Sequence, residues 1–171
     1  MGRVLEIARY LNEWGIPYRL QLLGNGSNRP RYEQYVMDND LHDVIFHGWV
    51  PRDTIGQYYA ESHFVLLPSQ SEGWPKVLSE GMAYGVVPIA GAVSGIPRFM
   101  EETGVGVALP YTDTEGMAAA IAGYARDPER WQAASSAGLR AAHRFSYTAY
   151  QQAVADLFLI RGACDCPSRK R

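Results

Sequence analysis

Glu72 and Glu80 stand with seven residues between them in the stretch SEGWPKVLSEG. The apolar set Val77, Leu78, Gly81 and Met82 recurs at helical spacing and predicts a helix from residue 75 to about 84. Proline suits the first turn of a helix, where its missing N–H would have been unpaired in any case. The backbone N–H groups of residues 73–77 then form a ready site for an anion or a hydroxyl. Gly73 lets a ligand approach the backbone closely. Glu80 falls on a different side from the apolar set, so both carboxylates can face one cleft. Carboxylates accept paired hydroxyls well, whereas two acids repel phosphate, so the chemistry points to a ribose or a hexose. A second account is purely local. In it Glu72 favours the positive helix end, and Lys76 with Glu80 forms an exposed ion pair worth about 0.2–0.5 kcal/mol.

Two glycine loops weigh toward a site. LLGNGSNRPR places Gly24 and Gly26 after an apolar run and before a helical pattern, the setting of a backbone cradle for phosphate or sugar. It is not a dinucleotide fingerprint, because Arg29 occupies the third glycine position. FHGWVP places Gly48, Trp49 and Val50 after another apolar run. Three strand ends carrying glycine on one rim suit ligand binding at the carboxyl ends of a parallel sheet.

The elements that must position these residues alternate along the chain. VLEIARYLNEW puts Val4, Ile7, Ala8, Leu11 and Trp14 on one helical stripe that Gly15 ends. YRLQLLG, DVIFHG, HFVLLPS, VVPIAG and VGVALP read as five short strands, with helical patterns between them. From Asp113 the text is helical throughout. The fold class expected is α/β, a doubly wound, mostly parallel Rossmann-like sheet of about five strands with helices on both faces. Such a domain ordinarily opens on a strand, whereas this chain opens on a helix. The expectation is therefore that a first strand before Met1 is missing.

Composition bounds the function. The chain has 171 residues, 47% apolar and 20% charged, with a net charge of −2, which makes no electrostatic case for nucleic acid as a partner. Its only lysines are Lys76 and Lys170. Cys164 and Cys166 cannot build a disulfide framework or a zinc site with any neighbouring cluster, and a reducing, cytoplasmic compartment is expected. No run reaches transmembrane length. Residues 1–145 read as the binding domain, 146–161 as an amphipathic C-terminal helix, and 162–171 as a disordered tail.

The stretch PSQSEGWPKVLSEGMAYGVVPIAG resembles the signature of retaining glycosyltransferases of family 4, which have the GT-B fold. Pro68, Ser69, Glu72, Gly73, Glu80, Gly85 and Pro88 carry the match. LLGNGS is similar to the family's Gly-x-Gly loop, FHGWVP to its Phe-x-Gly-x-Val segment, and SGIPRFME to its Gly-Gly-Ile-Pro-Glu segment. The matches run in family order over about residues 1–145. The resemblance implies the C-terminal, donor-binding half of such an enzyme.

By that resemblance Glu80 would hold ribose hydroxyls, and Glu72, the candidate catalytic residue, the transferred sugar. The segment Gly73, Trp74, Pro75, Lys76 and Val77 would meet sugar and diphosphate through its backbone. Trp49 and Val50 would flank the base, and Gly24 and Gly26 would line the pocket. The resemblance implies no metal and no cofactor; the substrate would be a UDP- or GDP-sugar. Retaining transfer in the family is described as front-face attack assisted by the departing diphosphate.

Some positions depart from the family pattern. The Arg and Lys that neutralise the diphosphate are absent, with Met1 about where the Lys would stand. Gly81 replaces the usual Ala, His63 a common Asp, and Arg98 the expected Glu. The acceptor domain is absent too, so a separate acceptor-binding half is the implied partner. A non-catalytic nucleotide-sugar-binding module and a degenerate fragment are the other readings. Tyr32, Tyr35, Tyr58 and Tyr59 read as core or interface, and His42, His47 and His143 as structural. The last helix is expected to self-associate through an uncovered apolar face.

Overall fold

The computed structural model describes residues 1–162, with side-chain surroundings through residue 158. The expectation of a disordered tail with Cys164 and Cys166 lies outside the described residues. Helix α1 (Gly2–Glu13) buries Val4, Leu5, Ile7, Ala8 and Leu11. Trp14, expected on that stripe, is instead the residue that ends the helix and is 38% exposed. Gly15 follows at φ +63°, a conformation open to glycine, and turns the chain away.

All five expected strands are present. β1 (Leu20–Leu23) pairs in parallel with β2 (Val44–Gly48). β3 (Phe64–Leu67), β4 (Val87–Gly91) and β5 (Val107–Leu109) form a second parallel sheet in that order, with Phe64 opposite Val87 and Ile89 opposite Val107. The single five-stranded sheet expected from the sequence is therefore divided in two. β1 and β3 are not hydrogen-bonded to each other, and a cavity of about 1150 Å³ is lined by every residue of both.

Helices α2 (Arg29–Asp38), α3 (Ile55–Ala60), α4 (Lys76–Ala83) and α5 (Ile96–Thr103) alternate with the strands. Helices α6 (Thr114–Arg126), α7 (Pro128–Ala142) and α8 (Tyr147–Gly162) complete the described chain. β4 is buried along its whole length and explains the layering. Its Val87 and Ile89 face a cluster with Ile7 and Leu11 of α1 and Met117 and Ile121 of α6. Ala90, on the opposite face by strand alternation, joins Leu78 and Met82 of α4 and Ile96 and Met100 of α5. Helices thus cover both faces. Truncating a side chain such as Ile89, fully buried here, costs about 2–5 kcal/mol in cores of this kind.

Asp113 and Asp127 accept the N–H groups of Gly116 and Arg130 at the starts of α6 and α7, satisfying donors that a helix start leaves open. α8 differs from its expectation of an amphipathic helix. Its apolar side chains do not collect on one face, and Tyr147, Tyr150, Leu157 and Phe158 are all exposed. No described helix is long and apolar enough to cross a membrane.

Candidate functional site

β3 ends at Leu67, and Ser69 N donates back to Leu67 O at 2.8 Å, turning the chain into the loop of residues 68–75. Pro75 caps α4 with φ −75° and ψ 121°, so the first helical residue is Lys76. Pro75 therefore stands one position earlier relative to the helix than the sequence suggested, since its ψ is extended. Leu78 N donates to Pro75 O at 3.1 Å. The donors left without an intrahelical acceptor at this end are those of Lys76 and Val77. A side chain at Gly73 would meet nothing within 4 Å, and the same holds at Gly26; neither has a positive φ. The fold itself therefore does not require glycine at either position.

Three ties hold the loop. Ser94, in the turn between β4 and α5, takes φ +50°, and its hydroxyl donates to the Glu72 carbonyl. Trp74 stacks on Phe145 with centroids 4.4 Å apart and planes 10° apart, and it meets Phe99 edge-on at 4.7 Å. The Trp74 ring is thus turned into packing, and what that residue offers the rim is its backbone. Gly91 lets the loop pass close by, since a Cβ there would lie 2.5 Å from Ser69 O.

Glu80 is held from α3. Tyr59 Oη donates to Glu80 Oε2 at 3.2 Å and its ring stacks on Tyr84. Burial, and then the Glu80 charge, push the Tyr59 phenol well above its ordinary value. Glu80 takes Tyr59, and no Lys76–Glu80 ion pair occurs among the described residues, whose ion pairs are Arg9–Glu13, Arg29–Glu33 and Arg98–Glu102. Arg98 thus has an exposed surface partner. Glu80 also borders a shallow groove of about 440 Å³ against Leu139 and Ala142 of α7, which Glu72 does not border. The expectation that both carboxylates face one cleft is met only at the level of the rim: they belong to one loop–helix unit and line no described cavity together.

The other two glycine loops do come together. Gly24 N donates to Gly48 O at 2.6 Å in a bridge, with φ +115° at Gly24 and +72° at Gly48. Arg29 lies beside Gly48. Its guanidinium donates to Phe46 O and to Glu33, and its Nη1 lies 3.4 Å from where a Gly48 Cβ would be. Trp49 projects from the loop, 77% exposed, and Val50 is half-buried. His47 is tied to Gln21 at 3.0 Å and lies edge-on to Tyr58, which is a structural use of the ring.

Sequence reasoning missed Tyr59, Ser94 and Arg29. Tyr59 reads in the sequence as core or interface, and no spacing signal joins α3 to α4. Ser94 was legible as the serine standing at a glycine position of SGIP.

Residues 4–127 match the family described as Glycosyl transferases group 1. The chain belongs to that family. Among related proteins, it is 30% identical over 128 residues to the amylovoran biosynthesis glycosyltransferase AmsK of Erwinia amylovora, covering 71% of this chain and 31% of AmsK. The chain thus spans about a third of the length of that relative. Among solved structures it resembles sucrose-phosphate synthase from Thermosynechococcus elongatus at TM-score 0.75 and 27% identity, over 93% of this chain and 43% of that one. It also shares its fold with Anabaena HepE in complex with UDP, at TM-score 0.73 and 21% identity over 82% of this chain and 40% of HepE. The parallel strands and two helical layers are those of a Rossmann-like half of the GT-B fold.

Proposed function

We propose that this group 1 glycosyl transferase chain is the donor-binding half of a family 4 retaining glycosyltransferase and binds a nucleotide sugar, a UDP- or GDP-sugar, on the rim described above. One observation carries the reading: the start of α4, with its open N–H groups, lies between Glu72 and a Tyr59-held Glu80 at the carboxyl end of a parallel strand. The structural neighbour HepE, solved with UDP, supports a nucleotide as the ligand.

In this reading Glu80 accepts the ribose hydroxyls, and Tyr59 holds its carboxylate in place. Glu72 orients the transferred sugar from a loop pinned by Ser94 and Trp74. The Lys76 and Val77 N–H groups, at the positive end of α4, receive the diphosphate. Such donors stabilise charge developing on a departing diphosphate because they are fixed before the reaction begins. Trp49 and Val50 flank the base, and Gly24 and Gly26 line the pocket. The acceptor is held by a separate half, with no metal or cofactor assigned a role.

Calorimetric titration with UDP, GDP and their hexose conjugates, beside Glu80→Ala, tests this. The expected result is a Kd tighter than about 1 mM for one nucleotide, weakened at least ~10-fold in the variant. Folded protein that binds none of the panel refutes it.

A further inference from the structure

The loop that carries Glu72 has little of its own to hold it. Among the described residues, 70–74 take part in no backbone–backbone hydrogen bond. A side chain at Gly73 would touch nothing within 4 Å. Glu72 is therefore placed by two ties, the Ser94 hydroxyl on its carbonyl and the packing of the neighbouring Trp74 ring. The hydroxyl fixes one atom, whereas a ring stacked on another ring fixes tilt as well.

The Trp74 ring is set between two others. Phe99 of α5 meets it edge-on, Phe145 lies nearly parallel to it, and Phe99 and Phe145 meet each other at 5.3 Å and 60°. The guanidinium carbon of Arg144 lies 5.5 Å from the centre of the Phe99 ring. The Trp74 indole N–H is buried without a hydrogen-bond partner in the described structure. A donor left unpaired in this way costs stability, so it is the aromatic contacts that keep the ring there.

The two walls differ in kind. Phe99 belongs to the buried cluster that joins α4, α5 and α7. Phe145 is 38% exposed and comes from a short 3-10 turn, His143–Phe145, between α7 and α8. That turn is tied at its end: Ser146 N donates to His143 O at 3.1 Å, and Ser146 Oγ accepts Ala149 N at 3.1 Å at the start of α8. Phe145 is thus a partly exposed aromatic, outside the buried clusters, whose closest stacking partner is the ring next to Glu72. It also borders the shallow groove beside Glu80, but Glu80 stands on α4 and is held from α3 by Tyr59.

We propose that Phe145 is a positioning residue for the donor sugar: stacked on Trp74, it fixes the loop that presents the Glu72 carboxylate. This rests on the donor-site reading above, in which Glu72 meets the sugar and Glu80 the ribose. Loss of the stack therefore disturbs the sugar end of the site and spares the nucleotide end.

The test compares the 171-residue chain with Phe145→Leu and Phe145→Tyr. Leucine keeps an apolar side chain and loses the ring; tyrosine keeps the ring. The chain has four tryptophans, and Trp74→Phe identifies the Trp74 indole N–H signal in NMR spectra. That proton should exchange slowly with water in the parent. Phe145→Leu should speed its exchange about tenfold, the effect of one aromatic pair, and Phe145→Tyr should restore it. Calorimetry with UDP, GDP and their hexose conjugates then reads the site. Phe145→Leu should weaken the conjugate about tenfold and leave the bare nucleotide within about twofold, whereas a general loss of stability moves both alike. Phe145→Tyr should bind as the parent does. Melting curves check folding, and Phe145→Met, whose flexible side chain fills irregular space, stands in should the leucine variant not fold. Fast indole exchange in the parent, or exchange unchanged in Phe145→Leu, overturns the proposal. So does a loss shared equally by nucleotide and conjugate, or no loss at all. A parent that binds none of the probes refutes the donor-site reading instead, and the indole exchange still decides whether Phe145 fixes the loop.

Discussion

Gly73→Ala separates a glycine needed by the fold from one needed by a ligand. A Cβ at Gly73 would have no atom within 4 Å, and its backbone is outside the left-handed region. The folded state therefore gains no clash and no strain. The unfolded chain loses conformational freedom, which stabilises the protein by about 0.4–1 kcal/mol and raises Tm by about 1–4 °C for a domain of this size. The bound state is different if diphosphate or sugar lies against this backbone. The added methyl then pushes the ligand from the N–H groups of Lys76 and Val77, and losing one charge-assisted bond costs about 1.5–3 kcal/mol, roughly 10- to 150-fold in Kd. Thermal melting and calorimetry on the same preparation read both terms. A variant that melts slightly higher and binds at least tenfold more weakly supports close approach. Affinity within twofold of the parent refutes it, and a Tm several degrees lower refutes the structural premise.

Gly91→Ala should lower stability where Gly73→Ala raises it. Its Cβ would lie 2.5 Å from Ser69 O and 3.2 Å from Tyr111 Cβ, an overpacking of about 1–3 kcal/mol, and melting should fall by about 2–12 °C while the displaced 68–75 loop weakens nucleotide binding. Tyr59→Phe removes one hydrogen bond to the Glu80 carboxylate; nucleotide affinity should drop about fivefold, near 1 kcal/mol. In a Glu80→Ala background the same change should do nothing, and equal losses in both backgrounds would show that the pair is not coupled. The Tyr59 phenol is raised above its ordinary value by burial and by Glu80, so the unfolded chain gives up that proton first. Its contribution to stability is therefore complete below about pH 10 and lost as the pH climbs beyond it. Melting temperature should fall more steeply from about pH 9 to 11 in the parent than in Tyr59→Phe, and parallel curves would remove Tyr59 as the cause.

The apolar runs named the five strands because strands and helices have distinct repeat lengths that survive in one dimension. β4 shows this well: Val87, Ile89 and Ala90 are all buried, and an unbroken apolar run is what a strand covered on both faces requires. The Pro75 boundary slipped by one position because a proline's φ suits both the cap and the first turn, and ψ decides between them. The α8 expectation fails for a related reason: a run rich in apolar residues suggests one apolar face, although those residues are spread around the helix.

Local sequence by itself determined the elements, the loop–helix unit bearing Glu72 and Glu80, and the family motifs, since each depends on residues within about a dozen positions of one another. The tertiary structure alone decided that Glu80 takes Tyr59 rather than Lys76, that Ser94 pins the Glu72 carbonyl, and that the Trp74 ring packs on Phe145. It alone divided the sheet, since pairing is set by which strand edges lie within hydrogen-bonding reach after the helices have packed. Contacts between residues twenty or seventy positions apart leave no periodic trace in a chain. They exist only once burial of the apolar faces has brought those residues together.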